Sequence, residues 1–249
     1  MEDLLQILEP ADFAYLAGII RSDFNATADG ELARLTAAYA EDPTAEICDE
    51  LCSRFEREIR YLGSSEVAYG FRAITGQDPG VSFQETVRDV AMSLKVGKPP
   101  LGTDREQVEW VVAEYATNQF TDLSQEEQQK MLEDLGVESE KAEAFLKKSA
   151  GVFALPMLVE AFNYVIVQGL IKTIIFGTIA RIIGQQLAGR LLTFLIGRLP
   201  WWVSWIGPAA WTFSIGWATL DLQGPAKRKT IPVILYLGIC SMRERARAE

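Results

Sequence analysis

The sequence predicts an all-α protein, with an acidic N-terminal helical domain followed by C-terminal membrane-inserted helices. Three observations carry this. Apolar residues in the first 148 positions recur at helical spacing, and no stretch alternates as a half-buried strand would. Charge is split along the chain: residues 149–249 hold 10 of the 24 Lys and Arg but only 4 of the 34 Asp and Glu, leaving 14 against 30 in residues 1–148. The front is thus at −16 and the back at +6, which gives the overall −10. Finally, residues 199–220 carry no charged side chain and include Trp201, Trp202, Trp205, Trp211 and Trp217, five of the chain's six tryptophans.

Three regions follow: an acidic cytoplasmic helical domain over 1–148, hydrophobic membrane-inserted helices over 149–222, and a basic segment with a short helix over 223–249. In the first, "DLLQILEPADFAYLAGIIRSDF" places Leu4, Leu5, Ile7, Leu8, Phe13, Leu16, Ile19 and Ile20 at helical spacing. Pro10 suits the first turn of the second helix, where its missing N–H costs nothing. "NATADGEL" reads as a turn, followed by a short helix to about Ala40. In the next helix Asp42 or Thr44 caps, Ile47, Leu51, Phe55 and Ile59 form one stripe, and Gly63 ends it. Ser82 and Glu85 form a capping box for a helix that stops by Gly97. "TDREQVEWVVAEYATNQF" and "TDLSQEEQQKMLEDLG" supply two more helices, each with acids near its start, where the helix dipole favours them, and "SEKAEAFLKKSAG" leads into the apolar half.

The second region has two stretches of spanning length, about 20 apolar residues each. Residues 149–171 carry one charge, Glu160, and residues 199–220 carry none. Between them Thr178, Arg181, Gln185, Gln186, Arg190 and Thr193 spread over about half a helical wheel at roughly 100° per residue. A charge at the bilayer centre costs at least about 2.5–3.5 kcal/mol, so Glu160, Arg181 and Arg190 need a wet or paired setting. Glu160, Arg181, Gln185, Gln186 and Arg190 are therefore the pore-lining candidates. Trp201, Trp202, Trp205 and Trp217 fit an interfacial belt, with Trp211 too central for it. Gly169, Thr173, Gly177 and Ala210, Ser214, Ala218 offer small-residue ridges for close helix approach. Lys147 and Lys148 before the region and Lys227, Arg228 and Lys229 after it place both ends in the cytoplasm, so the crossings are even in number, most simply two. Lys227, Arg228 and Lys229 are also the candidates for anionic lipid or an anionic, nucleotide-like ligand. The stretch 230–242 is too short to span and is expected to pack or lie at the interface.

The absence of histidine removes the commonest general base, the Ser-His-Asp and Cys-His dyads and the commonest metal ligand. No Walker, Rossmann or nucleophile-elbow pattern is present, so no catalytic residue, metal or cofactor is expected. Cys48 and Cys52, four apart, lack the second pair of a zinc site, and the spacing predicts helical packing. Sparse, unpaired cysteines fit a reducing compartment. The acidic start lacks the basic n-region of a signal peptide. A front half at −16 disfavours duplex nucleic acid.

Several blocks resemble the bacterial YaaW-like (UPF0174) family. They are "DLLQILEPADFAYLAGIIRSD" with the polar turn after it, the central block carrying Gly63, Gly70, Gly76, Phe83, Asp89, Val90 and Leu94, and "RKTIPVILYLGICSMRER" with Ile231 and Pro232. That family is similar in turn to the ubiquinol–cytochrome c chaperone domain, and its members resemble membrane effectors of bacterial defence operons. The resemblance implies a helical fold and carries no catalytic residues. Residues 150–222 depart from the family's looser glycine-rich stretch, with bulky aliphatics and tryptophans instead.

The expected function is an oligomeric, ligand-gated channel or pore in the bacterial inner membrane, acting in anti-phage defence by disrupting that membrane. Two or three spans cannot enclose a pore alone, so a symmetric homo-oligomer, a tetramer or larger ring, is required. The alternative is a membrane-docked chaperone or assembly factor without enzymatic activity.

Overall fold

The structure is a computed structural model that describes residues 1–20, 26–62, 81–149, 151, 153–186 and 225–248. The described residues form helices and no strands: α1 (Glu2–Leu5), α2 (Pro10–Ile20), α3 (Ala26–Glu41), α4 (Ala45–Leu62), α5 (Phe83–Ser93), α6 (Asp104–Thr121), α7 (Gln125–Asp134), α8 (Ser139–Ser149), α9 (Leu155–Gln186) and α10 (Pro225–Ala248).

Local chemistry sets the starts of these helices. Pro10 opens α2, and Thr44 Oγ1 accepts from the Ile47 N–H at the start of α4. Capping boxes open α5 (Ser82 with Glu85), α6 (Thr103 with Glu106) and α7 (Ser124 with Glu127), each satisfying two otherwise orphaned backbone donors. Helix α3 begins at Ala26, inside the stretch read as a turn. Gly30 lies in the first turns of that helix at a cost of about 1 kcal/mol relative to alanine, which the neighbouring alanines and leucines tolerate.

Helix α10 is the centre of the fold. The segment after residue 222, expected to hold a short helix, forms 24 residues of helix. Every residue from Thr230 to Arg243 is buried, and α2, α4, α5, α6 and α9 all pack on it. Gly238 gives α6 its closest approach, because a Cβ there would lie 2.7 Å from the Val108 carbonyl oxygen and against Val112.

Residues 149–171 are not one helix. Gly151, at φ 81°, separates α8 from α9, and Asn163, at φ 70° and ψ 167°, breaks α9 internally. The Asn163 Oδ1 accepts from the Ile166 N–H and so caps the longer second part. Leu155–Ile183 is long and apolar enough to cross a membrane, yet 67% of its most apolar window is buried inside the helical body. Its small-residue ridge serves that body: Gly169 lies against Leu135, and Thr173 is buried. The companion ridge of Ala210, Ser214 and Ala218 lies outside the described residues, as does the second expected span.

Candidate functional site

Gln168 of α9 donates to the Met242 carbonyl of α10 at 3.4 Å, and Phe176 meets Tyr236 ring to ring at 6.1 Å. An early residue on one helix faces a late one on the other, so the two run antiparallel, and this register brings Gln186 level with Pro225. Both ends of the apolar segment 187–224 therefore join the helical body at the same end.

Cationic side chains concentrate on the helical turns that flank this junction. Residues 178–186 and 225–235 include Arg181, Lys227, Arg228 and Lys229 and no acid. Arg181 and Arg228 are exposed, and Lys227 is half-buried. The charge of Arg181 acts on the Tyr115 hydroxyl, which also bonds Thr178 at 3.3 Å. Lys229 donates to the Ile20 carbonyl at 2.9 Å, at the negative end of α2, where a cation satisfies an orphan acceptor. That residue ties α10 to α2, besides any role toward an anion.

Deeper in the body, a polar junction joins α10 to α2. Asp12, fully buried, accepts on Oδ1 from the Tyr236 hydroxyl at 2.8 Å and from Arg243 Nη1 at 3.1 Å. Its Oδ2 accepts from Arg243 Nη2 at 2.7 Å and from the Glu9 N–H at 2.8 Å. These four donors fill the acceptor capacity of one carboxylate. Burial alone would lower the Arg243 guanidinium, but the Asp12 hydrogen bonds and the charges of Asp12 and Glu9 outweigh it and hold the group above its ordinary value. Burial pushes the Tyr236 hydroxyl and the Cys240 thiol well above their usual ranges, and the nearby Asp12 adds to both. A second bridge joins α6 to α10, where the Glu109 carboxylate accepts from the Ser241 hydroxyl at 2.6 Å and from Arg245 Nη1 at 3.0 Å.

Of the sequence-predicted site residues, the structure gathers Arg181, Lys227, Arg228 and Lys229 at one end of the body. Glu160 is exposed near the start of α9, beyond the Asn163 break, away from Arg181. Gln185 and Gln186 fall in the last turn of α9 with their side chains outside the described residues, and Arg190, Trp201, Trp202, Trp205 and Trp217 also lie outside them. Among the described residues no group of three or more His, Cys, Asp or Glu is placed to hold a metal. The Asp12–Tyr236–Arg243 junction was not anticipated. Its signals are lone charges on apolar helices: Asp12 in "PADFAYLAGII", and Arg243 after "TIPVILYLGICSM".

No family model matches the chain, and no solved structure does. The chain is 26% identical over 195 residues, 76% of its own length and 70% of the relative's, to a UPF0174 protein of Helicobacter pylori strain J99. Over most of its length the chain is thus similar to a UPF0174 protein.

Proposed function

We propose that the chain is a non-enzymatic, membrane-docked protein of the bacterial inner membrane. The helical body stays on the cytoplasmic side and residues 187–224 enter the bilayer, as a docked chaperone or assembly factor would require. The carrying observation is the antiparallel α9–α10 pair, which fixes both ends of the apolar segment at one end of the body. A segment held this way returns to the side it left. That agrees with the positive-inside reading of the flanking lysines and arginines. Arg181, Lys227 and Arg228 around the junction add attraction for anionic headgroups, at about 1 kcal/mol per cation near a charged surface. Burial of most of α9 and α10 supports the docked reading over one in which α9 itself spans.

Co-sedimentation of the full chain with vesicles tests this. Binding to anionic vesicles that resists high salt, and is lost on replacement of residues 187–224 by a flexible linker, is the expected result. Binding unchanged by that replacement overturns the reading.

A pore is the second reading, favoured by exposed Arg181 at the head of the polar series Gln185, Gln186 and Arg190 leading into the apolar run. It requires a ring of copies, with an anionic ligand at Lys227 and Arg228 as a gate and membrane disruption in anti-phage defence as its role. Dye release from the same vesicles, lost in Arg181→Ala with Arg190→Ala, would favour it. Sealed vesicles despite insertion would leave the docked protein.

A further inference from the structure

Cys48 and Cys52 stand one turn apart on α4 with their sulfurs 3.9 Å from each other. Both are free thiols; Cys48 is half-buried with an open side, and Cys52 is 5% exposed. Tyr39 of α3, the helix packed beside α4, rests its ring edge-on against Phe13 at 5.6 Å. A disulfide is disfavoured here. Residues at i and i+4 on a helix hold their Cβ atoms about 5–6 Å apart, whereas a disulfide needs roughly 3.5–4.5 Å. Closing the bond would unwind a turn of α4.

The spacing suits an ion between the sulfurs instead. Metal–sulfur bonds of about 2.3 Å to sulfurs 3.9 Å apart enclose an angle of about 115°, between tetrahedral and trigonal values.

We propose that Cys48 and Cys52 form a two-sulfur site for one thiophilic d10 cation of the zinc(II) or copper(I) class. Loading forms two metal–sulfur bonds and releases the two thiol protons to solvent, with no change of oxidation state. Water or an exogenous thiol completes the coordination from the open side of Cys48. With two protein ligands rather than four, the site is an exchangeable one and not a staple of the fold.

The test uses the full chain in detergent, reduced and metal-free, titrated with cadmium(II) as the probe. The proposal expects a thiolate-to-cadmium absorption band that saturates at one ion per chain, and protection of Cys48 from iodoacetamide. Both are lost in Cys48→Ser with helical content unchanged by circular dichroism. A band that survives in Cys48→Ser, or no band in the folded chain, overturns it. Should Cys48→Ser misfold, alkylation of Cys48 in the unaltered chain decides the matter: equal rates with and without cadmium refute the site.

Discussion

Arg243 grips Asp12 with both terminal nitrogens, Nη1 to Oδ1 at 3.1 Å and Nη2 to Oδ2 at 2.7 Å, and the two side chains are 6% and 0% exposed. This fork joins α10 to α2 across 231 positions of sequence. Removing Asp12 leaves the buried guanidinium with only a longer ion pair, to Glu9 at 4.0 Å. Asp12→Ala should therefore cost about 3–5 kcal/mol in denaturant unfolding. The double replacement Asp12→Leu with Arg243→Met should recover much of that loss, because an apolar pair of similar volume has no charge to desolvate. Equal destabilisation in the single and double variants would contradict the account.

Two glycines in helices should respond in opposite directions. Gly238→Ala places a methyl 2.7 Å from the Val108 backbone oxygen, which cannot swing aside, so about 1–3 kcal/mol of stability should be lost to overpacking. Trimming Val112 to alanine should not restore it. Gly30 in α3 has nothing within 4 Å of the place a methyl would take, so Gly30→Ala should gain about 0.5–1 kcal/mol from helix propensity alone. Thermal unfolding of the two variants side by side checks both signs.

Asn163 adopts φ 70° and ψ 167°, a region that side chains other than glycine enter at a cost of about 1–3 kcal/mol. Asn163→Gly should relieve that strain and lose only a few tenths for the cap, for a net gain of about 1 kcal/mol. Asn163→Ala keeps the strain and loses the bond to Ile166, so it should destabilise. A continuous helix through this position would reverse the order of the two variants.

Stability should be greatest over a broad neutral range and fall at both ends. Hydrogen bonds from Thr103 and Ser124 lower the Glu106 and Glu127 carboxyls below the ordinary 4.5, and those from Ser139 and Gln129 lower Glu133. Groups depressed in the folded state stabilise above the unfolded value, and that contribution is lost as pH falls through the folded one. Cys52, Cys240, Tyr15, Tyr115 and Tyr236 are all raised, chiefly by burial, from ordinary values of 9.0 for the thiols and 10.0 for the phenols. Their contribution is complete below those values and is lost above them. Unfolding midpoints measured from pH 3 to 11 should therefore decline below about 4.5 and above about 9. In Thr103→Ala the Glu106 carboxyl, followed by NMR, should titrate closer to 4.5.

Helix positions were largely legible in the sequence because caps and stripes are local. Ser82–Glu85 and the Leu51, Phe55, Ile59 face appear where periodicity puts them. The "NATADGEL" stretch misled because Asn, Asp and Gly favour turns in isolation, whereas α3 gains its helix by packing on α2 and α4. Hydropathy placed 149–171 in a bilayer, yet an apolar helix reads the same whether lipid or other helices cover it. Only tertiary structure shows Gly169 against Leu135 and Phe176 against Tyr236. The Asp12–Arg243 junction stayed hidden for a related reason: a single charge on an apolar helix does not name its partner far along the chain.

The most direct measurement is on a chain in which a Gly/Ser linker replaces residues 187–224, purified without detergent. If the apolar segment alone meets the bilayer, this protein should be monodisperse in buffer, with helical circular dichroism and one cooperative thermal transition. Aggregation that detergent reverses would instead place α9 or α10 in the membrane and contradict the account.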